Sequence, residues 1–583
     1  MRRSLTALCA LLVLVPLQAV GSASPPSGSP HVTTAGPLDD DTDLAAALHF
    51  EDVIRQHDGG GFVVPLAYDS WPDLHPDATP LHMDGEGDSG NYTGEYLAAE
   101  SFRYALAESK LATLGGHGHP EARAFWDGQL ADARAKATET ADYYKLIATI
   151  AKSWNPTLDP KVNPNGSPLD QEGYLDLGAS GVPGEAGLLM RICTPEHPDP
   201  AKPWFDVRKN YPGNPVLFGP FPYDDGKKYY CLAATSRDTY AGTWFGLATA
   251  LDMMADDSHV KKTVAESLLA MADYATKYLW TQPRPHGRVA NVVTGGDDLH
   301  GPISPMFAQV PLHQLAMLQV ARHAAAVTGD VVRSAKYEAM YAAESAAFIG
   351  SGALIQEVLA DAAKPHQQNY KFQLNFVHFF NLIRLEDNPV RRAAYEQALA
   401  AMTATTDRDA NAFFEAMTYG LDGDKERLDA AALHHHQWLD YYAFHEAVAR
   451  SGNTPFVHTG RCAITTDPGP DAPVQDRPLA CVPKDQYDVI LTNPVDGTKT
   501  RTVYSPGTVT DLRALDPLPV GVRRLADFLW QKDGTIITGD HKTPWRGPSV
   551  DMLITYWMTR YYSEAAPPAN PHALPTWLGP AFA

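Results

Sequence analysis

The chain has 583 residues, of which 44% are hydrophobic, and its formal net charge is -22 at pH 7. This acidic balance argues against binding to nucleic acid or to an anionic membrane through bulk electrostatics, because either partner requires a basic protein face. The hydrophobic content is enough for a large core, and the length alone allows roughly two to four domains.

The N-terminus predicts an exported protein. Two arginines precede a mainly apolar run from Leu5 to Val20, and small residues up to Ala23 occupy the positions that a signal peptidase reads. We therefore expect a signal peptide over 1–23 and a flexible Pro/Ser/Gly leader over 24–45. No later stretch approaches the ~20 uninterrupted apolar residues that a membrane span needs. The sequence thus predicts a secreted protein, extracellular or periplasmic, with no membrane partner.

The cysteine content fits an oxidising compartment. The chain has five cysteines, and Cys9 leaves with the signal. The sequence leaves three pairings of the other four open, but nearest-neighbour pairing would restrain two irregular, Pro-rich insertions. The expected disulfides are therefore Cys193–Cys231 and Cys462–Cys481. Four unpaired buried thiols are the alternative, and metal binding is disfavoured because no CxxC spacing accompanies these cysteines.

From about Leu97 onward, most apolar residues recur at three- and four-residue spacing, which is typical of amphipathic helices. Strand-like alternation is nearly absent, and one hairpin is predicted around Val489–Val503, with its turn at Asp496-Gly497. The predicted helices, about twelve, are Gly94–Leu114, Glu121–Ser153, Tyr240–Met254, Val260–Leu279, Pro311–Thr328, Val331–Phe348, Phe372–Arg384, Pro389–Thr403, Asn411–Tyr419, Asp424–Leu433, Gln437–Arg450 and Pro548–Tyr562.

Neighbouring helices joined by short turns predict antiparallel helical hairpins, and six such hairpins close most naturally into an (α/α)6 toroid. We therefore expect an all-α fold with one minor β-hairpin. One helical domain over 46–565 is favoured, followed by a Pro-rich tail over 566–583. Long loops rich in aromatic residues interrupt the pattern, and loops of that length are typical of functional segments. These insertions are 154–239, 281–310 and 451–512.

The first polar cluster is the segment Met83–Tyr96, which runs into a predicted helix. Its glycines would let the backbone approach a ligand closely, and its carboxylates, Asp88 and Glu95 among them, lie near a helix N-terminus. Asp88 is a candidate catalytic residue, and Glu95 and Tyr92 are candidate substrate-binding residues. Alternatively, one carboxylate caps the helix and the others are solvated.

The second cluster, Thr235–Trp244, also runs directly into a helix. Aromatic faces stack on sugar rings and an arginine pairs with carboxylates, so this composition suits an acidic or neutral saccharide. Asp238 and Tyr240 are candidate catalytic residues, and Arg237 and Trp244 are candidate substrate-binding residues. A surface ion pair beside a hydrophobic anchor is the alternative.

The third cluster is a polar stripe along one otherwise apolar helix. Lys371, Asn375, His378 and Asn381 follow a three-to-four spacing, which puts them on one helix face. Such a stripe is either a satisfied buried network or the lining of a cavity. From it we select His378 as a candidate catalytic residue and Asn375 as a candidate substrate-binding residue.

Metal and cofactor sites are weakly indicated. The side chains of His434-His435-His436 point in different directions, so the three cannot all bind one metal ion. Asp297-Asp298 in a Gly-rich loop suggests calcium, but the signal is too short to support a site. We expect no cofactor. The sequence also lacks a P-loop, a dinucleotide fingerprint, a GxSxG elbow and a papain-type cysteine context.

Export, about twelve helices, aromatic-rich loops and carboxylates at helix starts together resemble the six-hairpin, (α/α)6-barrel glycosidases and related polysaccharide lyases. The resemblance is architectural and spans roughly Tyr68–Tyr562, and the segments Ser236–Tyr240 and Asp551–Tyr562 read like signatures of one specific bacterial family, which is not identified. It implies a carbohydrate substrate or ligand. Barrels of this shape also serve unrelated reactions.

Three functions follow from this resemblance. A glycoside hydrolase would use paired carboxylates, with Asp238 and Asp88 as the first choices. A polysaccharide lyase would use Tyr240 or His378 as base, and Arg237 or Asn375 to neutralise a uronate carboxylate. A non-catalytic glycan-binding or scaffold protein is the third. The sequence leaves the substrate, the stereochemical outcome and the oligomeric state open.

Overall fold

The fold is that of a computed structural model, which describes much of the chain from residue 41 to residue 565. The described residues are 41–70, 77–84, 88–114, 119–153, 175–176, 185–212, 217–233, 235–255, 258–277, 282–283, 288–290, 309–350, 369–407, 410–436, 457–458, 462–464, 479–481, 487–492, 499–504 and 545–565.

Within these residues the chain is mostly helical. A 3₁₀ turn, Ile150–Ser153, follows the third of these helices. The α-helices in chain order are α1 Asp41–His57, α2 Ser89–Leu114, α3 Pro120–Thr149, α4 Val207–Asn210, α5 Arg237–Met253, α6 His259–Lys277, α7 Gln309–Val327, α8 Val331–Gly350, α9 Asn369–Arg384, α10 Pro389–Thr406, α11 Ala412–Asp422, α12 425–436 and α13 Val550–Glu564.

The helices predicted from apolar spacing are confirmed to within a few residues at their ends, apart from Gln437–Arg450, which lies outside the described residues. Helix α1 was not predicted, and it begins at Asp41, inside the segment expected to be a flexible leader. Its residues Ala47, Phe50 and Ile54 recur at helical spacing and are buried, which explains why this segment folds onto the domain.

Several small antiparallel sheets accompany the helices. The predicted hairpin is confirmed as β12 (Tyr487–Thr492) and β13 (Lys499–Tyr504), with Val489 opposite Thr502, although its turn residues lie outside the described part. The expectation of a single hairpin was wrong, because strands of two to six residues give too few alternations to be recognised in sequence. The sheets are β1 (Leu66–Tyr68) with β2 (Pro80–Met83) and β14 (Trp545–Arg546), β3 (Leu175–Asp176) with β8 (Arg288–Ala290) and β7 (Gln282–Pro283), β4 (Ile192–Pro195) with β6 (Lys228–Leu232) and β5 (Leu217–Pro222), β10 (Cys462–Ile464) with β11 (Leu479–Cys481), and β9 (Val457–His458) with β12 (Tyr487–Thr492) and β13 (Lys499–Tyr504).

One of the two predicted disulfides is present. Cys193 and Cys231 face each other on neighbouring strands and are bonded, with an S–S distance of 2.01 Å. Cys462 and Cys481 are likewise direct partners in the register of β10 and β11. That second disulfide remains a prediction, which the backbone pairing favours.

Helices α2 and α5 approach each other more closely than side chains normally permit. A Cβ atom added to Gly94 would lie 1.9 Å from the carbonyl oxygen of Gly242, and one added to Gly246 would lie 2.2 Å from that of Gly94. Gly90 faces Thr239 in the same way, so the contacts advance in one direction and the two helices run parallel. The glycines of the first polar cluster therefore allow a neighbouring helix to pack closely.

Helix α13 also runs parallel to α2. The Arg103 guanidinium lies 5.4 Å from the ring centroid of Trp557, and Lys110 pairs with Glu564 at 2.5 Å. Both partners advance by seven residues between these two contacts, and Phe102 packs against Tyr561 with ring centroids 5.5 Å apart. Counting back along both helices from these contacts puts Ser549, the residue before α13, level with the first turns of α2, between Gly90 and Glu95.

Candidate functional site

A buried carboxylate joins the first turns of α2 and α9. One oxygen of Glu95 accepts a hydrogen bond from the Asn91 side-chain amide at 3.0 Å, and it also accepts one from the Gln373 amide. All three side chains are fully buried. Asn91 stands one helical turn before Glu95, so the same face of α2 supplies both groups.

Two imidazoles lie one to two helical turns further along. The ring centroids of His313 on α7 and His378 on α9 are 4.5 Å apart, and the Tyr240 ring on α5 lies 6.5 Å from His313. Both histidines are buried. Four helices, α2, α5, α7 and α9, therefore bring polar groups into one interior region near their N-terminal ends.

Some polar atoms in this region have no partner among the described residues. They are the side-chain amide oxygens of Asn91, Gln373 and Asn375, and each of these residues is at most 1% exposed. A buried amide oxygen without a hydrogen bond is costly, and such groups commonly bind water or a ligand. The region collects a carboxylate, acceptor oxygens and imidazoles, which are groups that can form hydrogen bonds with hydroxyl groups.

The two carboxylates expected to act as a catalytic pair, Asp88 and Asp238, lie at the N-terminal ends of neighbouring helices. Asp88 precedes α2 and its carboxylate lies 3.9 Å from the Arg191 guanidinium. Asp238 lies in the first turn of α5 and is partly exposed. The contact between Gly90 and Thr239 brings these two helix starts side by side. The Arg237 side chain lies outside the described part.

The aromatic candidates lie in the apolar core. Tyr92 is 7% exposed and Trp244 is 2% exposed, so both faces of each ring are largely covered by protein. Tyr240 is also buried, and its hydroxyl bonds to the backbone of Leu189. Burial raises the pKa of Tyr240 well above its ordinary value, which favours the neutral phenol.

The predicted polar stripe on α9 serves two separate clusters. Asn375 and His378 belong to the interior region near the helix start, whereas Asn381 accepts a hydrogen bond from Arg384 at 3.4 Å near the helix end. There Arg384 also binds Asp252, which pairs with His323 at 2.6 Å. Burial alone would raise the pKa of Asp252, but the charges of Arg384 and His323 outweigh it and lower that pKa. This second cluster ties α5, α7 and α9 together at their C-terminal ends.

The three consecutive histidines contact three different helices. His434 bonds to both oxygens of Glu415 on α11, at 2.9 and 2.8 Å. His435 bonds to the Met552 carbonyl oxygen of α13 at 3.1 Å, and His436 bonds to Asp43 of α1 at 2.8 Å. Within the described ranges, no group of three His, Cys, Asp or Glu side chains is placed to hold a metal ion. The Asp297-Asp298 segment lies outside those ranges.

A buried charged cluster was not anticipated from the sequence. Arg103 pairs with Glu100 at 3.2 Å, with Glu51 at 3.5 Å and with Asp132 at 3.0 Å. Trp557 donates a hydrogen bond to Glu51 at 3.0 Å. Burial, followed by the neighbouring Glu51 carboxylate, raises the pKa of Glu100 well above its ordinary value. The cluster joins four helices, α1, α2, α3 and α13.

Asn91, Gln373 and His313 are members of the interior region that are not among the candidates predicted from the sequence. Asn91 lies in the first polar cluster, whereas Gln373 and His313 are each a polar residue inside an apolar helical segment, a pattern that more often indicates a satisfied core residue. The only signal of Gln373 and His313 in sequence is that they interrupt those apolar segments.

The sequence matches no protein-family model, no curated protein and no solved structure at a significant level. No helix in the described part of the chain is both long enough and apolar enough to cross a membrane.

Proposed function

We propose that the protein is an exported carbohydrate-active enzyme, a glycoside hydrolase, built on an (α/α)6 toroid. The disulfide Cys193–Cys231 agrees with export into an oxidising compartment. The proposed inner helices are α2, α5, α7, α9, α11 and α13. The packing of each of these helices against the next, and of α13 against α2, supports a closed ring.

The observation that carries the proposal is the Glu95 carboxylate held by Asn91 and Gln373, with amide oxygens open to further hydrogen bonds beside it. Carboxylate and amide groups together match the donors and acceptors of sugar hydroxyls. In the proposed mechanism, Glu95 stabilises the positive charge that develops on the sugar ring when the glycosidic bond breaks.

Asp238 is the proposed general acid, which protonates the departing glycosidic oxygen. Its position in the first turn of α5, partly exposed and beside the start of α2, suits a group that must meet solvent and substrate. Asp88 is the second carboxylate at these helix starts, and it lies 3.9 Å from the Arg191 guanidinium.

A polysaccharide lyase is the second candidate. It is favoured by the contact between His313 and His378 beside Asn375, because an imidazole can remove the proton next to a uronate carboxylate while an amide binds that carboxylate. Hydrolase and lyase share the same region, so product chemistry must separate them.

The test is product analysis with the purified mature protein on a panel of neutral and uronate-containing glycans. New reducing ends without ultraviolet absorbance support the hydrolase, and the absorbance of an unsaturated uronate supports the lyase. Binding without any product contradicts an enzymatic function and leaves a glycan-binding protein.

A further inference from the structure

A carboxylate–imidazole pair lies near the start of α11 and the end of α12, at the same end of the helices as Glu95. His434, at the end of α12, is hydrogen bonded through Nδ1 to both oxygens of Glu415 at 2.9 and 2.8 Å. The Glu415 side chain is 9% exposed and that of His434 is 22% exposed. A buried carboxylate thus fixes an imidazole that still reaches the surface.

The position of this pair follows from two neighbouring contacts. Phe414, next to Glu415, stacks on Phe376 of α9 with ring centroids 4.2 Å apart. Phe376 is adjacent to Asn375 and one turn from Gln373, the residue that binds Glu95. Glu415 therefore lies beside the segment of α9 that lines the candidate site.

The second contact gives the position of the end of α12 along the axis of α2. His435 bonds to the carbonyl oxygen of Met552, three residues after Ser549. The parallel contacts of α13 and α2 put Ser549 level with the first turns of α2, between Gly90 and Glu95. The end of α12 consequently lies within about one helical turn, ~5 Å along the helix axis, of the level of Glu95.

The hydrogen bond leaves one ring nitrogen available. With Nδ1–H donated to Glu415, the neutral ring carries its lone pair on Nε2, and the described part of the chain gives this atom no hydrogen-bond partner. A carboxylate on Nδ1 fixes the tautomer and stabilises the imidazolium that forms when Nε2 accepts a proton.

We propose that His434 is the general base of the site and that Glu415 is its positioning residue. This inference rests on the proposed hydrolase function. The water oxygen forms the new bond to the anomeric carbon while the glycosidic C–O bond breaks. The water proton goes to His434 Nε2, and the departing oxygen takes its proton from Asp238. Proton exchange with solvent then restores both groups, so the net change is the addition of water.

The test compares His434→Gln with His436→Gln on any glycan that the wild-type protein cleaves. His436 is a matched control, because it neighbours His434 and forms the same kind of pair with Asp43. We expect His434→Gln to lower kcat at least about 100-fold with KM nearly unchanged, and Glu415→Gln to lower kcat about tenfold or more. His436→Gln should keep kcat within about twofold of wild type.

Two results would overturn the inference. One is wild-type kcat in folded His434→Gln. The other is loss of turnover in Asp88→Asn but not in His434→Gln, which would make Asp88 the base.

If the wild-type protein cleaves no glycan, the proposed function fails first. Diethyl pyrocarbonate then still tests the accessible Nε2: mass spectrometry should find His434 modified, and an unmodified His434 beside modified His436 contradicts the inference.

Discussion

Gln373 donates a hydrogen bond to the same Glu95 oxygen that accepts one from Asn91, although Gln373 and Glu95 lie 278 positions apart in the chain. The two side chains meet because α2 and α9 both begin at the end of the molecule where the polar groups collect. Their contact fixes the carboxylate in a buried region that also contains acceptor oxygens and imidazoles. The following predictions test the packing, the electrostatics and the chemistry of this arrangement.

Gly94→Ala should destabilise the protein by about 1–3 kcal/mol or more, because the added Cβ would overlap the Gly242 carbonyl group and push α2 away from α5. Gly128→Ala is the control, since Gly128 is also helical but a Cβ there meets no atom within 4 Å. The control should gain about 0.5 kcal/mol from its helix propensity. Chemical denaturation measures both changes, and equal stability of the two variants would contradict the close helix contact.

Glu100 makes stability depend on pH. Its pKa is raised in the folded protein, so the folded state holds this proton at pH values where the unfolded state has lost it. The contribution to stability is complete below the unfolded pKa near 4.5 and is lost as the pH rises toward the folded pKa. Glu100→Gln should remove this decrease of the unfolding free energy with rising pH. Glu121→Gln, at an exposed position, should leave the decrease unchanged. Unfolding free energies at several pH values are the measurement, and an unchanged pH slope in Glu100→Gln would refute the assignment.

Reduction should destabilise the mature protein. The Cys193–Cys231 disulfide closes a loop with a sequence separation of 38, for which chain entropy predicts about 4 kcal/mol. The expected second disulfide, Cys462–Cys481, should add to this effect. Alkylation of unreduced mature protein followed by intact-mass measurement should find no labelled cysteine. Two labelled cysteines would contradict the predicted Cys462–Cys481 disulfide, and four labelled cysteines would also contradict the Cys193–Cys231 disulfide.

Asp238→Asn should lower turnover about 100-fold or more while the fold stays intact, because the amide keeps the shape of the side chain but cannot protonate a leaving oxygen. The measurement is the initial cleavage rate on an identified glycan, with the thermal midpoint as the folding control. Turnover equal to wild type would reduce Asp238 to a residue of the first helical turn.

Most helices could be predicted because apolar spacing records the face that each helix buries. The start of α2 was placed at Gly94 and not at Ser89, since glycine has low helix propensity and the preceding segment looks like a loop. Tertiary contact reverses that preference, because Gly90 and Gly94 are what allow α5 to pack there.

The site was only partly accessible to sequence reasoning. Glu95, Asn375 and His378 were selected by residue type and spacing, but their neighbours Gln373 and His313 come from helices far apart in the chain. Such pairings depend on which helices pack against each other. Local patterns in a single sequence do not show this. Trp244 illustrates the converse: an aromatic beside polar residues suggested a sugar platform, whereas its burial assigns it to the core.

The most direct test of the proposed function is the initial rate of glycan cleavage by Glu95→Gln relative to wild type, on the substrate found by product analysis. Glu108→Gln is the matched control, because Glu108 is on the same helix and its carboxylate accepts a hydrogen bond from Tyr104 at 3.2 Å. We predict that Glu95→Gln loses at least about 100-fold in kcat with an unchanged thermal midpoint, while Glu108→Gln stays near the wild-type rate. Wild-type turnover in a folded Glu95→Gln protein would contradict the assignment of the active site to this region.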